Sequence, residues 1–174
     1  NIYLGRKGVV GTIMSNEGLN DALADLNIEL IRADVGDRNV FEKLEELGWE
    51  LGGEQSGHII CLDSAITGDA IISSIKFLDA IDFSNEKFKE KVKKFKKYPQ
   101  ILKNIKTDDP EKILKNKKFN DLKNKCEKEI KDSGRINVRK SGTESLLRIM
   151  VESSDLSMTE KISNKLEKLA KELI

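Results

Sequence analysis

Two arginines that flank a short polar turn have the residue types and spacing of an anion-binding site. The stretch INVRKSGTESLLRIMV, from Ile136 to Val151, alternates aliphatic and polar residues on both sides of the turn, which predicts two strands. The same period of two leaves Arg139 and Arg148 on the face opposite the aliphatic side chains. Guanidinium groups pair bidentately with phosphate, so the two side chains could hold a doubly charged anion.

The turn between the arginines offers further donors. Ser141 and Thr143 supply hydroxyl groups, and Gly142 allows a ligand to approach the backbone closely. Backbone N–H groups in a tight turn can form a concave nest for an anion. The pattern therefore favours a phosphate site, although a plain hairpin turn with surface arginines explains the same residues equally well.

A second polar loop, GGEQSGH from Gly52 to His58, lies between two strand candidates. Its glycines permit a tight turn that presents Glu54 and Ser56 on one side, an arrangement that suits two neighbouring sugar hydroxyls. His58 is the only histidine and could exchange a proton near neutral pH. The structural alternatives are solvated surface for Glu54 and a hydrogen-bonded strand start for His58.

The segment ADVGDR places two aspartates near an arginine. Asp34 and Asp37 are three positions apart, and a hard cation needs three or more converging oxygen ligands, so we predict no metal site here. Gly36, Asp37 and Arg38 could instead form a loop on the substrate side. The alternative is an ordinary helix start with Asp37 near the N-cap.

Charge divides the chain into two parts. Residues 1–86 hold 6 Lys and Arg against 16 Asp and Glu, whereas residues 87–174 hold 25 against 14. This asymmetry predicts two domains. Residues 87–131 contain 17 lysines, but acidic residues are interspersed and no aromatic stacking platform accompanies them, so we predict a solvated face and no nucleic-acid partner.

Several classes of protein are excluded by what the sequence lacks. No apolar run reaches the roughly 20 residues that span a bilayer, and no signal-peptide pattern is present, so we predict a cytoplasmic chain without a membrane partner. Cys61 and Cys126 are far apart in sequence and outside any CxxC pattern, which predicts reduced thiols that pack rather than react.

Hydrophobic periodicity predicts an α/β first half and an α+β second half. In the first half, strand candidates VVGTIM, ELIRA, WEL and HIICL alternate with helices. The helical stripes are Leu19, Leu23 and Leu26, then Val40, Leu44 and Leu47 before Gly48, and then Ile71, Ile75 and Leu78. An exit helix carries Phe88, Val92 and Phe95. The second half is expected to run β-α-β-β-α, with a strand at 101–105, one helix at 110–131, the hairpin, and a last helix that begins with a capping box of Ser157 and Glu160.

Four motifs in this order, VGDR, GGEQSGH, YPQ and RKSGTESLLR, resemble the C-terminal half of the α-D-phosphohexomutases. Within the family, the similarity is greatest to the bacterial members that interconvert glucosamine 6-phosphate and glucosamine 1-phosphate. The resemblance implies a mixed-sheet third domain with its exit helix at 1–95 and a small α+β fourth domain at 96–174. It also implies a sugar-binding set of Gly53, Glu54, Ser56, Gly57 and His58, assisted by Gly36, Asp37 and Arg38, and a set for the non-transferring phosphate of Arg139, Ser141, Gly142, Thr143 and Arg148.

The resemblance further implies an isomerase that moves a phosphoryl group through a phosphoserine and a bisphosphorylated sugar, with Mg²⁺ bound in another domain. The 174 residues of this sequence contain neither the nucleophile loop nor the aspartate-rich metal loop of the family. We therefore expect a fragment with no catalytic residue or metal ligand of its own, inactive without N-terminal domains of the same protein. The alternatives for the function are a phosphomannomutase or phosphoglucomutase of the same family and a non-catalytic phosphosugar-binding module. The partners implied are a phosphosugar substrate, the missing N-terminal domains and a second copy of the chain in a homodimer. The chain departs from the family pattern at two positions: Ser145 stands where proline is common, and Ala70 stands where glycine is common. Both departures concern the geometry of loops and remove no side chain that binds ligand.

Overall fold

The chain forms two compact units, Asn1–Lys97 and Tyr98–Ile174. A computed structural model describes residues 8–81, 95–142 and 144–174. Unit 1 consists of β1 (Gly8–Thr12), α1 (Glu17–Ala24), β2 (Glu29–Ala33), α2 (Asp37–Leu47), β3 (Leu51–Gly53), β4 (Ile59–Cys61) and α3 (Ala70–Ala80). Unit 2 consists of β5 (Gln100–Lys106), α4 (Pro110–Leu114), α5 (Lys117–Ile130), β6 (Gly134–Lys140), β7 (Leu146–Ser153) and α6 (Leu156–Glu172).

Unit 1 is built on a mixed sheet in the order β2-β1-β3-β4, which confirms the predicted fold class. β1 pairs in parallel with β2 and β3, and β4 pairs antiparallel with β3. The stripe of α2 packs on this sheet, and the buried core consists of Val10, Ala33, Val40, Leu44 and Ile60. Because β1 lies between β2 and β3, the loops that follow β2 and β3 are brought to the same edge of the sheet.

Local signals set the helix boundaries in unit 1. The Asn16 side chain caps α1 by accepting a hydrogen bond from the N–H of Gly18, and the helix ends at Ala24, three residues before the predicted stop at Asn27. Helix α2 ends as predicted at Gly48, whose φ of 64° suits a glycine. The N-cap of α3 is Asp69, which accepts from two backbone N–H groups.

The stripe predicted for the third helix is present, but it is not buried among the described residues. Ile71, Ile75 and Leu78 of α3 are 72%, 60% and 51% exposed. Periodicity predicted the helix correctly, but no element in the described part of the chain buries its apolar side. The exit helix predicted around Phe88 and Val92 falls within residues 82–94, outside the described residues.

Unit 2 is an antiparallel sheet in the order β5-β7-β6, with helices packed on one face. Its core joins the aliphatic face of β7 to the helices through Phe119, Ile149, Ile162 and Leu166, all 0% exposed. Cys126 also belongs to this core, and burial raises the pKa of its thiol, which disfavours the reactive thiolate.

Two predicted details of unit 2 were wrong. The single helix expected at 110–131 is two helices, because Asn116 interrupts it and caps α5 by accepting from the N–H of Phe119 at 3.2 Å. The capping box expected at Ser157 is replaced by a cap at Asp155, which accepts from the N–H groups of Ser157 and Met158. Both corrections leave the α+β class unchanged.

Candidate functional site

The hairpin of β6 and β7 places the two predicted arginines side by side. Arg139 and Arg148 are directly opposite each other in the strand register, so their side chains lie on the same face of the sheet. On the other face, Leu147 and Ile149 are completely buried against the helices. The aliphatic residues therefore fix the hairpin in place, and the fold aims both guanidinium groups away from the core.

The turn between the arginines is closed by backbone hydrogen bonds. The N–H of Ser141 donates to the carbonyl of Leu146 at 2.9 Å, and the N–H of Thr107 donates to the carbonyl of Ser145 at 3.1 Å. Around Gly142, a side chain would meet no atom within 4 Å, so the turn is open to an approaching ligand. Thr143 lies outside the described residues, and its predicted role stays a prediction.

Two buried donors beside this turn have no hydrogen-bond partner among the described residues. They are the hydroxyl of Ser141 and the Nε of Arg148. A buried donor without a partner costs roughly 1–3 kcal/mol, so such groups are expected where a ligand completes them. Within the described residues, Arg139 also makes no ion pair. The cluster of Arg139, Ser141 and Arg148 is thus short of acceptors and suited to an anion.

Lys140 is adjacent in sequence but does not belong to this cluster. It lies opposite Leu147 in the register, on the helix side of the sheet, and its Nζ is 3.2 Å from a carboxylate oxygen of Glu111. The hydrogen bond from Lys140 holds the pKa of the Glu111 carboxyl below its ordinary value. This lysine therefore pairs with α4 and does not contribute to the anion cluster.

The sequence reasoning missed one polar neighbour of the arginines. Asn104 of β5 is directly opposite Arg148, so Asn104, Arg148 and Arg139 form one row across the three strands. Asn104 is exposed, and its amide could donate to a ligand held by the row. The signal was the polar position in the predicted strand 101–105, but sequence does not reveal which residues pair across strands.

In unit 1, the structure ties two predicted loops together. The N–H of Gly36 donates to Oε1 of Glu54 at 2.8 Å, although the residues are 18 positions apart. Gly36 has φ of 126°, which favours glycine, so another residue there would disturb this contact. One oxygen of Glu54 is thus fixed by the backbone, and the other is left for a second partner.

That second oxygen faces the other polar groups of the loop. Oε2 of Glu54 is 3.5 Å from Oγ of Ser56 and 3.7 Å from Nδ1 of His58. The distance between Oγ of Ser56 and Nδ1 of His58 is 3.3 Å. The side chain of Glu54 is 11% exposed, whereas that of His58 is 66% exposed. The expectation that Glu54 and Ser56 share one side of the loop is met, and His58 stands at its open end, next to β4.

The remaining residues of the first loop lie in the first turn of α2. The side chain of Asp37 accepts from the N–H of Arg38, and the guanidinium of Arg38 pairs with Glu42 at 2.8 Å on the exposed helix surface. The helix-start alternative therefore accounts for the present contacts of Asp37 and Arg38. Of this loop, Gly36 is the residue that contacts the sugar-loop candidates.

Residues of the loop from Gly53 to His58 line two clefts of unit 1. One, of about 420 Å³, is lined in part by Gly53 and Glu54, and the other, of about 640 Å³, by Gly57 and His58. Both fall within the size range of small-molecule sites. Among the described residues, no three His, Cys, Asp or Glu side chains come together as a metal-binding cluster.

Both units of the chain match domains of known proteins. The phosphoglucomutase/phosphomannomutase alpha/beta/alpha domain III matches residues 3–98, and the C-terminal domain of the same proteins matches residues 102–169. The chain belongs to the phosphohexomutase family. Its two units correspond to domain III, which contains the Gly36 and Glu54 loops, and to the C-terminal domain, which contains the arginine hairpin.

Individual proteins similar to this phosphohexomutase chain are consistent with the family match. Phosphoglucosamine mutase 2 of Shewanella baltica is 46% identical over 88% of the chain, and phosphoglucosamine mutase of Actinobacillus succinogenes is 43% identical over 94%. The chain spans only 34% and 37% of these two proteins, about a third of their length. In fold, the chain is similar to Aspergillus fumigatus N-acetylphosphoglucosamine mutase, with a TM-score of 0.76 and 16% identity over 95% of the chain and 38% of that protein. None of the helices described at 8–81, 95–142 and 144–174 could span a membrane.

Two substitutions of Glu54 test the hydrogen bond that joins the two loops of domain III. Glu54→Ala removes the acceptor for the N–H of Gly36, whereas Glu54→Gln retains an oxygen at that position. We expect hydrogen exchange at the Gly36 amide to accelerate roughly five- to tenfold in the alanine variant, from the loss of about 1 kcal/mol, with little change in the glutamine variant. Equal protection in all three proteins would contradict the contact.

Proposed function

We propose that this chain is the substrate-recognition half of a mutase that interconverts glucosamine 6-phosphate and glucosamine 1-phosphate. Unit 2 binds the phosphate that is not being transferred, and unit 1 binds the sugar ring. The observation that carries the proposal is a pair of donors beside the hairpin turn, Arg148 Nε and Ser141 Oγ, that have no partner among the described residues, with Arg139 in the same row as Arg148.

The donor set suits a phosphate dianion in both charge and geometry. Arg148 can bind two oxygens through Nε and Nη2, Arg139 supplies a second positive charge, and Ser141 donates from its hydroxyl. The open turn at Gly142 lets the phosphate approach the backbone, where Thr143 is proposed to add a further contact. Charge-assisted bonds to several fixed donors favour phosphate over singly charged anions.

The Glu54 loop is proposed to recognise the hydroxyl groups of the sugar. One carboxylate oxygen is already fixed by Gly36, so the side chain does not need to be ordered when the sugar binds. The other oxygen accepts from a ring hydroxyl while Ser56 contacts the neighbouring one. Gly53 and Gly57 shape the loop, His58 lies at its open end, and Asp37 and Arg38 are proposed to approach the sugar only if the present Arg38–Glu42 pair opens.

The chemical step is proposed to belong to domains outside these residues. The chain spans only about a third of the length of its phosphohexomutase relatives, which supports a complete protein with further domains. Those domains would supply the phosphorylated serine and the metal site. This chain would hold the substrate so that each phosphate in turn occupies the hairpin while the other end reacts, and alone it would not turn over substrate.

The glucosamine assignment is supported by the names of the similar proteins. A phosphomannomutase or phosphoglucomutase is the second candidate, because the matching family is described by those two activities. Isothermal titration of the chain with glucosamine 6-phosphate, mannose 6-phosphate, glucose 6-phosphate and unphosphorylated glucosamine separates these possibilities. We expect the first to bind most tightly and the last not to bind measurably. Tighter binding of mannose 6-phosphate would favour the second candidate, and equal binding with and without phosphate would refute the phosphate site.

A further inference from the structure

The carboxylate of Glu144 occupies the arginine cluster. Its Oε2 accepts a hydrogen bond from Arg148 Nη2 at 2.9 Å. In a guanidinium group, Nη2 and Nε lie on the same edge, and that edge binds carboxylate or phosphate through two parallel bonds. Glu144 uses only half of the edge, because Nε remains buried without a partner among the described residues. The contact is a one-bond version of the two-bond contact that a phosphate would make.

Charge explains why a carboxylate is present there at all. Arg139 and Arg148 are directly opposite each other, and like charges in that position destabilise a sheet. Glu144 supplies one negative charge beside them, which offsets part of this repulsion. Since Asn104 at the other end of the row carries no charge, Glu144 is the only described acidic residue paired with either arginine.

The contact is also easy to break. The side chain of Glu144 is 58% exposed, and exposed ion pairs contribute at most about 1 kcal/mol. The turn does not depend on it, because backbone hydrogen bonds from Ser141 to Leu146 and from Thr107 to Ser145 close the loop independently. The carboxylate can therefore leave Arg148 for solvent while the turn keeps its shape.

We propose that Glu144 is an internal counter-ion, which occupies Arg148 when no phosphate is bound and is displaced when phosphate binds. This inference rests on the proposed function, since it takes Arg148 as a phosphate ligand. Competition from Glu144 weakens phosphate binding, and its return to Arg148 partly neutralises the emptied site. In the proposed reaction the intermediate must leave this anchor and return with its other phosphate, so a carboxylate that assists release serves turnover.

The substitution Glu144→Gln tests the proposal, because glutamine keeps the shape and removes the charge. With inorganic phosphate and with glucosamine 6-phosphate, we expect calorimetry to show binding about two- to fivefold tighter than in the parent chain. Without phosphate the melting temperature should fall, and the rise on adding phosphate should be larger. Glu160→Gln is the matched control: it removes the same charge from an exposed position of α6 in the same unit, and both measurements should stay at the parent values.

The unmodified chain provides a second readout. On titration with phosphate, the carboxyl ¹³C signal of Glu144 and the Nε–H signal of Arg148 should shift with the same midpoint, as the first group is released and the second gains its partner. A Glu144 signal that does not move while the Arg148 signal does would overturn the proposal, as would Glu144→Gln binding equal to or weaker than that of the parent. Weaker binding would mean that Glu144 positions Arg148 for the ligand.

Arg148→Ala separates this inference from the proposed function. If Arg148→Ala binds phosphate as tightly as the parent, the assignment of phosphate to the hairpin fails, and the counter-ion fails with it. If Arg148→Ala weakens binding while Glu144→Gln does not tighten it, the phosphate site stands and only the counter-ion is refuted.

Discussion

Replacing Arg148 with alanine should weaken the binding of glucosamine 6-phosphate by about 10- to 100-fold, because a hydrogen bond to a charged group contributes roughly 1.5–3 kcal/mol. The same change should not lower the melting temperature of unit 2. It removes a buried Nε that has no partner among the described residues, and it relieves the repulsion from Arg139. These gains offset the loss of the exposed Arg148–Glu144 pair, which contributes at most about 1 kcal/mol. Loss of affinity without loss of stability is the expected mark of a group retained for binding.

Two further variants make the Arg148 measurement specific. Arg148→Lys should bind with intermediate affinity, since an ammonium group keeps the charge but cannot form the bidentate contact. Lys128→Ala removes one positive charge from an exposed position of α5 and should leave the affinity within about twofold of the parent. Calorimetry at a fixed salt concentration gives all three affinities. If Lys128→Ala weakened binding as much as Arg148→Ala, the effect would come from net charge and not from the hairpin.

The hairpin was the part of the site that sequence reasoning located best. Alternation with a period of two over Ile136 to Val151 fixes which side chains share a face, so the common side of Arg139 and Arg148 could be predicted. The same alternation says nothing about the conformation of the turn. The pairing of Glu144 with Arg148 depends on that conformation, which is why the nearest carboxylate to the cluster was not foreseen.

Contacts between residues that are distant in sequence were the other feature that sequence reasoning did not predict. The hydrogen bond from Gly36 to Glu54 follows from β1 lying between β2 and β3, and the order of strands in a sheet is not written in the periodicity of any one strand. Helix α3 shows the complementary case. Its apolar spacing predicted a helix correctly, but spacing alone does not tell what packs on an apolar side, and Ile71 is 72% exposed in the described structure.

Phe119→Ala should be the most destabilising single change in unit 2. Phe119 is the largest fully buried side chain among the residues that the structure describes, and it packs in the core that also holds Ile149 of β7. Truncating a buried phenylalanine costs about 3–5 kcal/mol, because the transfer free energy is lost and a cavity remains. A domain of this size has a free energy of unfolding of roughly 4–12 kcal/mol, so the variant would lose a large fraction of its stability.

Urea denaturation followed by two signals measures this effect in unit 2. Trp49, the only tryptophan, lies in unit 1, so its fluorescence reports on that unit, while far-ultraviolet circular dichroism reports on both. We expect an early dichroism phase in Phe119→Ala that the parent lacks. Leu156→Ala, at a position 54% exposed in the same unit, should change the free energy of unfolding by no more than about 0.5 kcal/mol.

Because β7 carries Ile149 on its buried face and Arg148 on the other, phosphate binding should disappear at the urea concentration where the early phase occurs. Binding that survived this phase would show that the arginine hairpin does not depend on the core beneath it.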